Sequence, residues 1–222
     1  MDSSDLSAAG CPVPRPLFPA AAFDAVVVAC SLGGREALEQ LLWPLPADFP
    51  APLLVVQHVD ADSPGYLPGL LARRTGLAVK HAEPGEPLRA GTVYVAPPGR
   101  HLLVTPEGRC ARSDGPRVSF ARPAADLLFT SAVAAFGARV LGVVLTGRLS
   151  DGAAGAVAIR GAGGVVLAQD PASCRAPEMP RAAIARGAAH FTLPPAALAA
   201  ALVGLVAVPG TSARLGVGGR AA

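Results

Sequence analysis

The chain has 222 residues, of which 51% are hydrophobic and 16% are charged, and its formal net charge is +3. A chain this long and this apolar can bury a full core, and its length is ordinary for a single α/β domain. The small net charge, the low aromatic content of 5% and the lack of a Lys/Arg block argue against a nucleic-acid surface.

Both ends of the chain lack the periodicity of a folded element. Residues 1–21 are rich in Ser, Pro and Ala and predict a flexible leader, and residues 209–222 predict a flexible tail. The expected domain therefore covers residues 22–208. The leader contains no basic segment followed by an apolar run, so a secretory signal is not predicted.

In the first half of the chain, short apolar runs alternate with helical patterns, and a hairpin follows. The predicted elements are a strand at Ala25–Ala29, a helix at 33–42, a strand at Leu53–Val56, a helix that opens at Ser63-Pro64 and ends near Arg74, a short strand at Val79–His81, and a hairpin of Thr92–Ala96 with His101–Thr105.

The second half continues the alternation. The predicted elements are a helix at 123–136, a strand at Arg139–Thr146, a helix capped by Asp151 that ends near Arg160, a strand at Gly164–Ala168, a helix at Glu178–Ala185, a strand at Ala189–Phe191 and a helix from Pro195 to about Val206. Strands that alternate with helices imply βαβ units. The predicted fold is a doubly wound, mostly parallel, Rossmann-like sheet with one antiparallel hairpin.

Cysteine usage and hydropathy bear on the compartment. The four cysteines, at positions 11, 30, 110 and 174, show no C-x-x-C spacing, so neither a zinc site nor a redox pair is predicted. Unpaired thiols are typical of a reducing compartment. The longest apolar stretch, Ala196–Val208, is shorter than the roughly 17–25 residues that span a bilayer. We therefore expect a cytoplasmic protein that does not insert into a membrane.

Three polar residues follow predicted strands. Ser31 and His58 come at the ends of the first two strands, and Asp151 follows the strand Arg139–Thr146 after a short turn. Ligands bind at the carboxyl ends of strands in such sheets. A nucleophile, a base and a carboxylate are also the set that acyl transfer requires. Each residue has an ordinary alternative, because Ser31 and Asp151 could be helix caps and His58 a structural histidine.

The turn after Ser31 suits a developing negative charge. Gly33 and Gly34 lack a Cβ atom, so a substrate can approach the backbone closely. They also open a helix, whose free N–H groups could form an oxyanion hole. The turn does not match G-x-G-x-x-G, and the chain has no G-x-x-x-x-G-K-[ST], so a nucleotide site is not predicted.

At these residues the chain resembles the catalytic domain of the chemotaxis protein-glutamate methylesterase family, CheB. The resemblance extends over about residues 25–202. The blocks that carry it are ACSLGG (29–34), LLVVQH (53–58), YVAPPGRH (94–101), RPAADLLF (122–129), LTGRLSDGAAG (145–155), LAQDPASC (167–174) and MPRAA (179–183).

The resemblance implies hydrolysis of glutamate γ-methyl esters on the cytoplasmic helices of methylated chemoreceptors, or on a related signalling protein, and deamidation of glutamines as well. It makes Ser31 the nucleophile, His58 the general base and then acid, and Asp151 the orienting carboxylate. The oxyanion hole and substrate loop would comprise Leu32, Gly33, Gly34 and Arg148. It implies no metal and no organic cofactor. The family's receiver domain does not fit in a 21-residue leader, so we expect no phosphorylation gate within this chain.

The sequence departs from the family pattern around these residues. Leu32 stands where the family has Thr or Ser, and Arg148-Leu149 stands where it has Met-Gly. If that loop requires a positive φ, Leu149 is strained. Two alternatives therefore stay open: a hydrolase of another ester or amide, and a non-enzymatic scaffold that binds a signalling partner.

Overall fold

The computed structural model of the chain describes residues 16–207, in which strands and helices alternate. The strands are β1 (Ala25–Cys30), β2 (Leu53–Gln57), β3 (Ala78–His81), β4 (Thr92–Val95), β5 (His101–Val104), β6 (Cys110–Ser113), β7 (Val140–Val144), β8 (Val165–Gln169) and β9 (Phe191–Leu193). The helices are α1 (Gly34–Leu42), α2 (Leu67–Ala72), α3 (Ala125–Phe136), α4 (Ala153–Gly161), α5 (Glu178–Ala185) and α6 (Pro195–Ala207).

Seven of these strands form one parallel sheet in the order β3-β4-β2-β1-β7-β8-β9. The central strands β1 and β7 are buried along their whole length, because helices cover both faces of the sheet. Continuous β-branched runs are typical of strands in that position. The predicted fold class, a doubly wound and mostly parallel sheet, is confirmed.

The antiparallel hairpin joins different strands from those predicted. Its two strands are β5 and β6, which pair from His101 with Ser113 to Val104 with Cys110. The predicted pairing of Thr92–Ala96 with His101–Thr105 is wrong, because β4 already has β2 on one edge and β3 on the other. The hairpin instead closes at the turn around Gly108, whose φ of 70° favours glycine.

The second helix is shorter than its predicted span of 63 to about 74. It begins at Leu67, with Pro68 in its first turn, instead of at Ser63-Pro64. Gly65 has a φ of 71°, which is incompatible with a right-handed helix, so the chain cannot become helical before that residue. The Ser-Pro signal therefore marks a loop.

Two apolar clusters, one on each face, hold the sheet between helices. Leu38 and Leu41 of α1 and Leu198 and Leu202 of α6 lie in the first cluster. The second cluster contains side chains of α3, α4 and α5, including Phe129. No helix within residues 16–207 has the length and hydropathy needed to cross a bilayer.

The described part of the expected leader packs against the domain. Ala21 is 1% exposed, and the aromatic ring of Phe18 packs on both clusters. Arg139 donates to the carbonyls of Phe18 and Ala21 at 3.1 and 2.8 Å and pairs with Asp24. Residues 16–21 are therefore anchored, contrary to the prediction of a flexible leader across them. The rest of the predicted leader (1–15) and the predicted tail (209–222) lie outside the described residues.

Helices α3 and α4 approach closely at a glycine. A Cβ atom added at Gly155 would lie 2.5 Å from the Cβ of Phe129, which is closer than real contacts allow. Gly161, at the end of the same helix, has no heavy atom within 4 Å of such a Cβ. The two positions separate the effect of close packing from that of helix propensity.

We predict that Gly155→Ala lowers the free energy of unfolding by about 1–3 kcal/mol, because α3 and α4 must move apart. The matched control Gly161→Ala should raise it by up to about 1 kcal/mol, because alanine is the better helix former. Urea unfolding at neutral pH measures both changes. Equal stability of the two variants would contradict the close contact.

Candidate active site

Strand register places Ser31 and His58 at the same edge of the sheet. Cys30 pairs with Gln57 across β1 and β2, so the next residue on each strand is one of the two candidates. In the sheet, β1 lies between β2, the next strand along the chain, and β7. The strand order therefore reverses between β1 and β7, which is where ligands bind in doubly wound sheets.

His58 and Asp151 are joined by a hydrogen bond. His58 Nε2 lies 2.7 Å from Asp151 Oδ2, and the two side chains are 17% and 0% exposed. Because an ionised carboxylate only accepts, Nε2 carries a hydrogen, and in the neutral form of the imidazole Nδ1 is then the nitrogen with the free lone pair. Nδ1 has no hydrogen-bond partner among the described residues. Of the two ring nitrogens, Nδ1 is the one available as a base.

Asp151 caps a different helix from the one predicted. Its carboxylate accepts hydrogen bonds from the backbone N–H groups of Ala125 and Asp126, at 2.6 and 3.0 Å, in the first turn of α3. The residue at the N-cap of α4 is Gly152, which has no side chain to cap with. The predicted role of Asp151 as the cap of the helix that follows it is therefore wrong: it caps a neighbour in space.

Asp126 returns the cap from α3 to α4. Its Oδ1 accepts a hydrogen bond of 2.8 Å from the N–H of Gly155, in the first turn of α4. Asp126, in the first turn of α3, thus satisfies a free N–H group of α4. Asp151, which lies just before α4, satisfies free N–H groups of α3. The exchange fixes the distance between the helix starts, and with it the place of Asp151.

The pKa values of the two carboxylates, Asp151 and Asp126, are shifted in opposite directions. Burial alone would raise the pKa of Asp151, but hydrogen bonds from His58 and from the N–H groups of Ala125 and Asp126 outweigh it, so this pKa lies below its ordinary value. For Asp126, burial prevails over the hydrogen bond from Gly155 and raises the pKa. Asp151 therefore stays ionised as the partner of His58.

Ser31 lies against the turn that follows β7. Its N–H donates to Thr146 O at 2.9 Å, and a Cβ atom added at Gly147 would lie 2.8 Å from the Ser31 Cβ. Only a residue without a side chain fits there. The Ser31 hydroxyl makes no hydrogen bond to any described residue, His58 included. Catalytic hydrogen bonds are often long or poorly aligned without substrate.

Gln57 is a site residue that the sequence analysis did not single out. Its side-chain amide donates to Ser31 O at 2.8 Å and to His58 O at 3.0 Å, so it ties the two backbones together. The thiol of Cys30 donates to Gln57 Oε1 at 3.0 Å and orients the amide. The polar residue at the end of an apolar strand was the available signal.

The candidate oxyanion donors differ in availability. The N–H of Gly34 already donates to Ser31 O at 2.8 Å, which leaves it occupied. The N–H groups of Leu32, Gly33 and Arg148 have no acceptor within residues 16–207. Gly33 has a φ of 81°, so the turn needs glycine there.

A crevice of about 320 Å³ opens over the site. Its lining consists of Ser31, His58, Val59, Asp60, Arg117, Ser119, Phe120, Ala121, Arg122, Pro123 and Leu149. Leu149 has a φ of 67°. The positive φ suspected for this loop is therefore present, and a leucine adopts it.

Within residues 16–207 no three His, Cys, Asp or Glu side chains group as a metal site. The expectation that neither a metal nor an organic cofactor takes part stays a prediction.

Known proteins resemble this chain over most of its length. The family model described as CheB methylesterase matches residues 26–202. Protein-glutamate methylesterase FrzG of Myxococcus xanthus is 46% identical over 80% of this chain and 53% of its own length. Protein-glutamate methylesterase/protein-glutamine glutaminase 2 of Anaeromyxobacter dehalogenans is 47% identical over 79% of this chain and 51% of its own length. The chain thus spans about half the length of these two relatives.

The fold has a counterpart among solved structures. The crystal structure of the Thermotoga maritima CheB methylesterase catalytic domain superposes with a TM-score of 0.80 at 32% sequence identity. The superposition covers 82% of this chain and 98% of that domain.

The depressed pKa of Asp151 predicts how stability depends on pH. Its ionised form contributes stability above the ordinary carboxyl pKa of about 3.9, and the contribution is lost as the pH falls through the lower folded-state value. We predict that Asp151→Asn lowers the free energy of unfolding by about 2 kcal/mol at pH 7 and by less at about pH 3, below the ordinary carboxyl pKa.

Urea unfolding at the two pH values measures this difference. The control is Asp60→Asn, which changes an exposed carboxylate of the same crevice and should alter stability by less than about 0.5 kcal/mol. A destabilisation by Asp151→Asn that is the same at both pH values would show that the charge does not matter.

Proposed function

The chain belongs to the CheB methylesterase family, and from this membership we propose that it hydrolyses γ-methyl esters of glutamate side chains in chemoreceptors, yielding glutamate and methanol. The observation that carries the proposal is the hydrogen bond between His58 and the buried Asp151, beside Ser31, at the reversal point of the sheet. A serine hydroxyl becomes a useful nucleophile when an oriented, neutral imidazole can accept its proton.

In the first half of the reaction, Ser31 Oγ attacks the ester carbonyl carbon while its proton passes to His58 Nδ1. Asp151 holds the ring through Nε2–H and stabilises the imidazolium. When the tetrahedral intermediate collapses, the bond to the methoxy oxygen breaks and the imidazolium protonates that oxygen. Methanol leaves, and the glutamyl group stays on Ser31 as an ester.

In the second half, water attacks the acyl carbon and gives a proton to the same nitrogen. The bond to Ser31 breaks, the imidazolium returns the proton to Oγ, and the glutamate side chain is released. With a glutamine side chain as substrate, formation of the acyl-enzyme breaks the C–N bond and releases ammonia. Water then hydrolyses the same acyl-enzyme in the second half. Deamidation is therefore part of the proposal, in keeping with the glutaminase activity named for the Anaeromyxobacter relative.

The oxyanion of each tetrahedral intermediate needs donors that are not already used. We assign this role to the N–H groups of Leu32 and Arg148. Gly33 separates Leu32 from the start of α1. Their lack of other acceptors in the described chain supports the assignment, and so does the packing of Gly147 against Ser31, which brings the backbone next to Arg148 close to the nucleophile. Gly34 has a structural role, since its N–H closes the turn on Ser31 O.

The partner in this proposal is the methylated cytoplasmic part of a chemoreceptor or of a related signalling protein, and the compartment is the cytoplasm. The three cysteines of the described chain are free thiols, as is usual in a reducing compartment. The resemblance to methylesterases supports the choice of partner.

One observation favours a second candidate, a hydrolase of a different ester. The crevice loop has the strained, exposed Leu149, beside Arg148. A crevice altered in this way could accept another acyl group. Hydrolysis of small esters without release of methanol from a methylated receptor would identify that activity.

We predict that Ser31→Ala reduces methanol release from a methylated receptor fragment at least about a thousandfold, because no other group can form the acyl-enzyme. The matched control is Ser63→Ala, which removes a hydroxyl outside the crevice lining and should leave the rate unchanged. A fluorophosphonate probe should label Ser31 in the unmodified protein. Undiminished release by Ser31→Ala would overturn the mechanism, and failure of both release and labelling would indicate a scaffold.

A further inference from the structure

Backbone strain is concentrated around the crevice. Among residues 16–207, the non-glycine residues with a positive φ are Ser119 (50°), Phe120 (66°) and Leu149 (67°), and all three line the crevice with Ser31 and His58. This conformation is disfavoured for residues with a side chain, especially bulky ones. Such strain persists where the surroundings enforce it, and it clusters at functional sites.

The strained backbone exposes two large apolar side chains. Phe120 is 85% exposed and Leu149 is 58% exposed, although a protein normally buries side chains of this kind. They come from separate loops, one before α3 and one between β7 and α4, yet they line the same opening. An apolar group that entered between them would remove both from water.

The charges of the crevice are mainly positive. Arg117 is exposed and makes no hydrogen bond or ion pair with any residue in 16–207, and Arg122 also lines the opening. Arg122 is partly buried: its Nη1 donates to Asp114 O and Gly115 O, and its buried Nε has no hydrogen-bond partner in that range. Against these two guanidinium groups stands one carboxylate of the lining, Asp60. The balance favours an acidic partner.

We propose, building on the ester hydrolysis proposed above, that Phe120 and Leu149 determine specificity by binding the polypeptide that carries the reactive glutamyl ester. We call this pair of side chains the grip. The occupant is an acidic amphipathic segment of another protein. One of its apolar side chains lies between Phe120 and Leu149, and its acidic side chains face Arg117 and Arg122. The two strained loops hold the grip open in advance, so the substrate does not have to order them.

The variants Phe120→Gly and Leu149→Gly test the grip cleanly. Glycine adopts a φ near 66° without strain, so each change removes a side chain and relaxes the backbone at the same place. Two substrates carry the same ester: a methylated cytoplasmic receptor fragment, and the single-residue ester Nα-acetyl-glutamate γ-methyl ester amide. For each variant we expect the ratio of kcat/KM for the fragment to that for the single-residue ester to fall about tenfold.

The control variant is Trp43→Ala, which removes an aromatic side chain that is 65% exposed and lies outside the crevice lining, and it should leave the ratio unchanged. Urea unfolding verifies that all variants are folded. A ratio that stays within about twofold in both glycine variants would overturn the grip, and so would an equal loss for both substrates.

A binding measurement separates the grip from the reaction. In the Ser31→Ala background the fragment keeps its esters, and each glycine substitution should weaken fragment binding about tenfold. If the unmodified protein releases no methanol but this weakening is seen, the proposed reaction fails and the grip stands. If methanol is released and binding is unaffected, the grip fails and the reaction stands.

Salt tests the acidic chemistry of the occupant. Raising NaCl from about 50 mM to about 500 mM should weaken fragment binding by at least about fivefold, because salt screens the attraction between Arg117 and the acidic side chains of the segment. Binding that is insensitive to salt would overturn the acidic character of the segment.

Discussion

The exchange of helix caps between α3 and α4 is the constraint on which the site depends. Asp151 satisfies N–H groups at the start of α3, and Asp126 satisfies one at the start of α4. A buried carboxylate is stable only with several donors, and the helix starts provide them. Asp151 also accepts a hydrogen bond from His58, so the carboxylate that joins the two helices also orients the imidazole. In the proposed mechanism, Asp151 therefore serves both stability and chemistry.

A second set of contacts brings the other side chains to that carboxylate. Gln57 bonds the backbones of Ser31 and His58, and Gly147 allows the turn after β7 to lie directly on Ser31. These contacts involve backbone atoms and an amide, none of which forms or breaks a covalent bond in the proposed acyl transfer. The crevice can consequently change its lining, as at Leu149, without disturbing the strand ends underneath.

The fold and the three candidate side chains could be predicted because both follow from local patterns. A continuous apolar run marks a strand buried on both faces, and polar residues that follow such a run lie near the sheet edge. Pairings decided by distant competitors could not be predicted. Nothing near Thr92–Ala96 shows that β2 and β3 occupy both edges of that strand, and nothing near Asp151 shows that the free N–H groups it caps belong to α3. The polar character of Gln57 at a strand end is visible in the sequence, but its bonds to the backbone carbonyls of Ser31 and His58 are not, so its role could not be predicted.

The orientation of the His58 ring has a consequence for reagents that modify histidine. Nε2 is shielded by the buried Asp151, whereas Nδ1 is the nitrogen without a partner in the described chain. In many serine hydrolases the two nitrogens have the opposite assignment, with Nε2 toward the serine. An alkylating agent shaped for those enzymes would approach this imidazole from the wrong side. For the mechanism proposed for this chain, a covalent reagent has to deliver its electrophile to Nδ1 of His58, the nitrogen nearer the main chain.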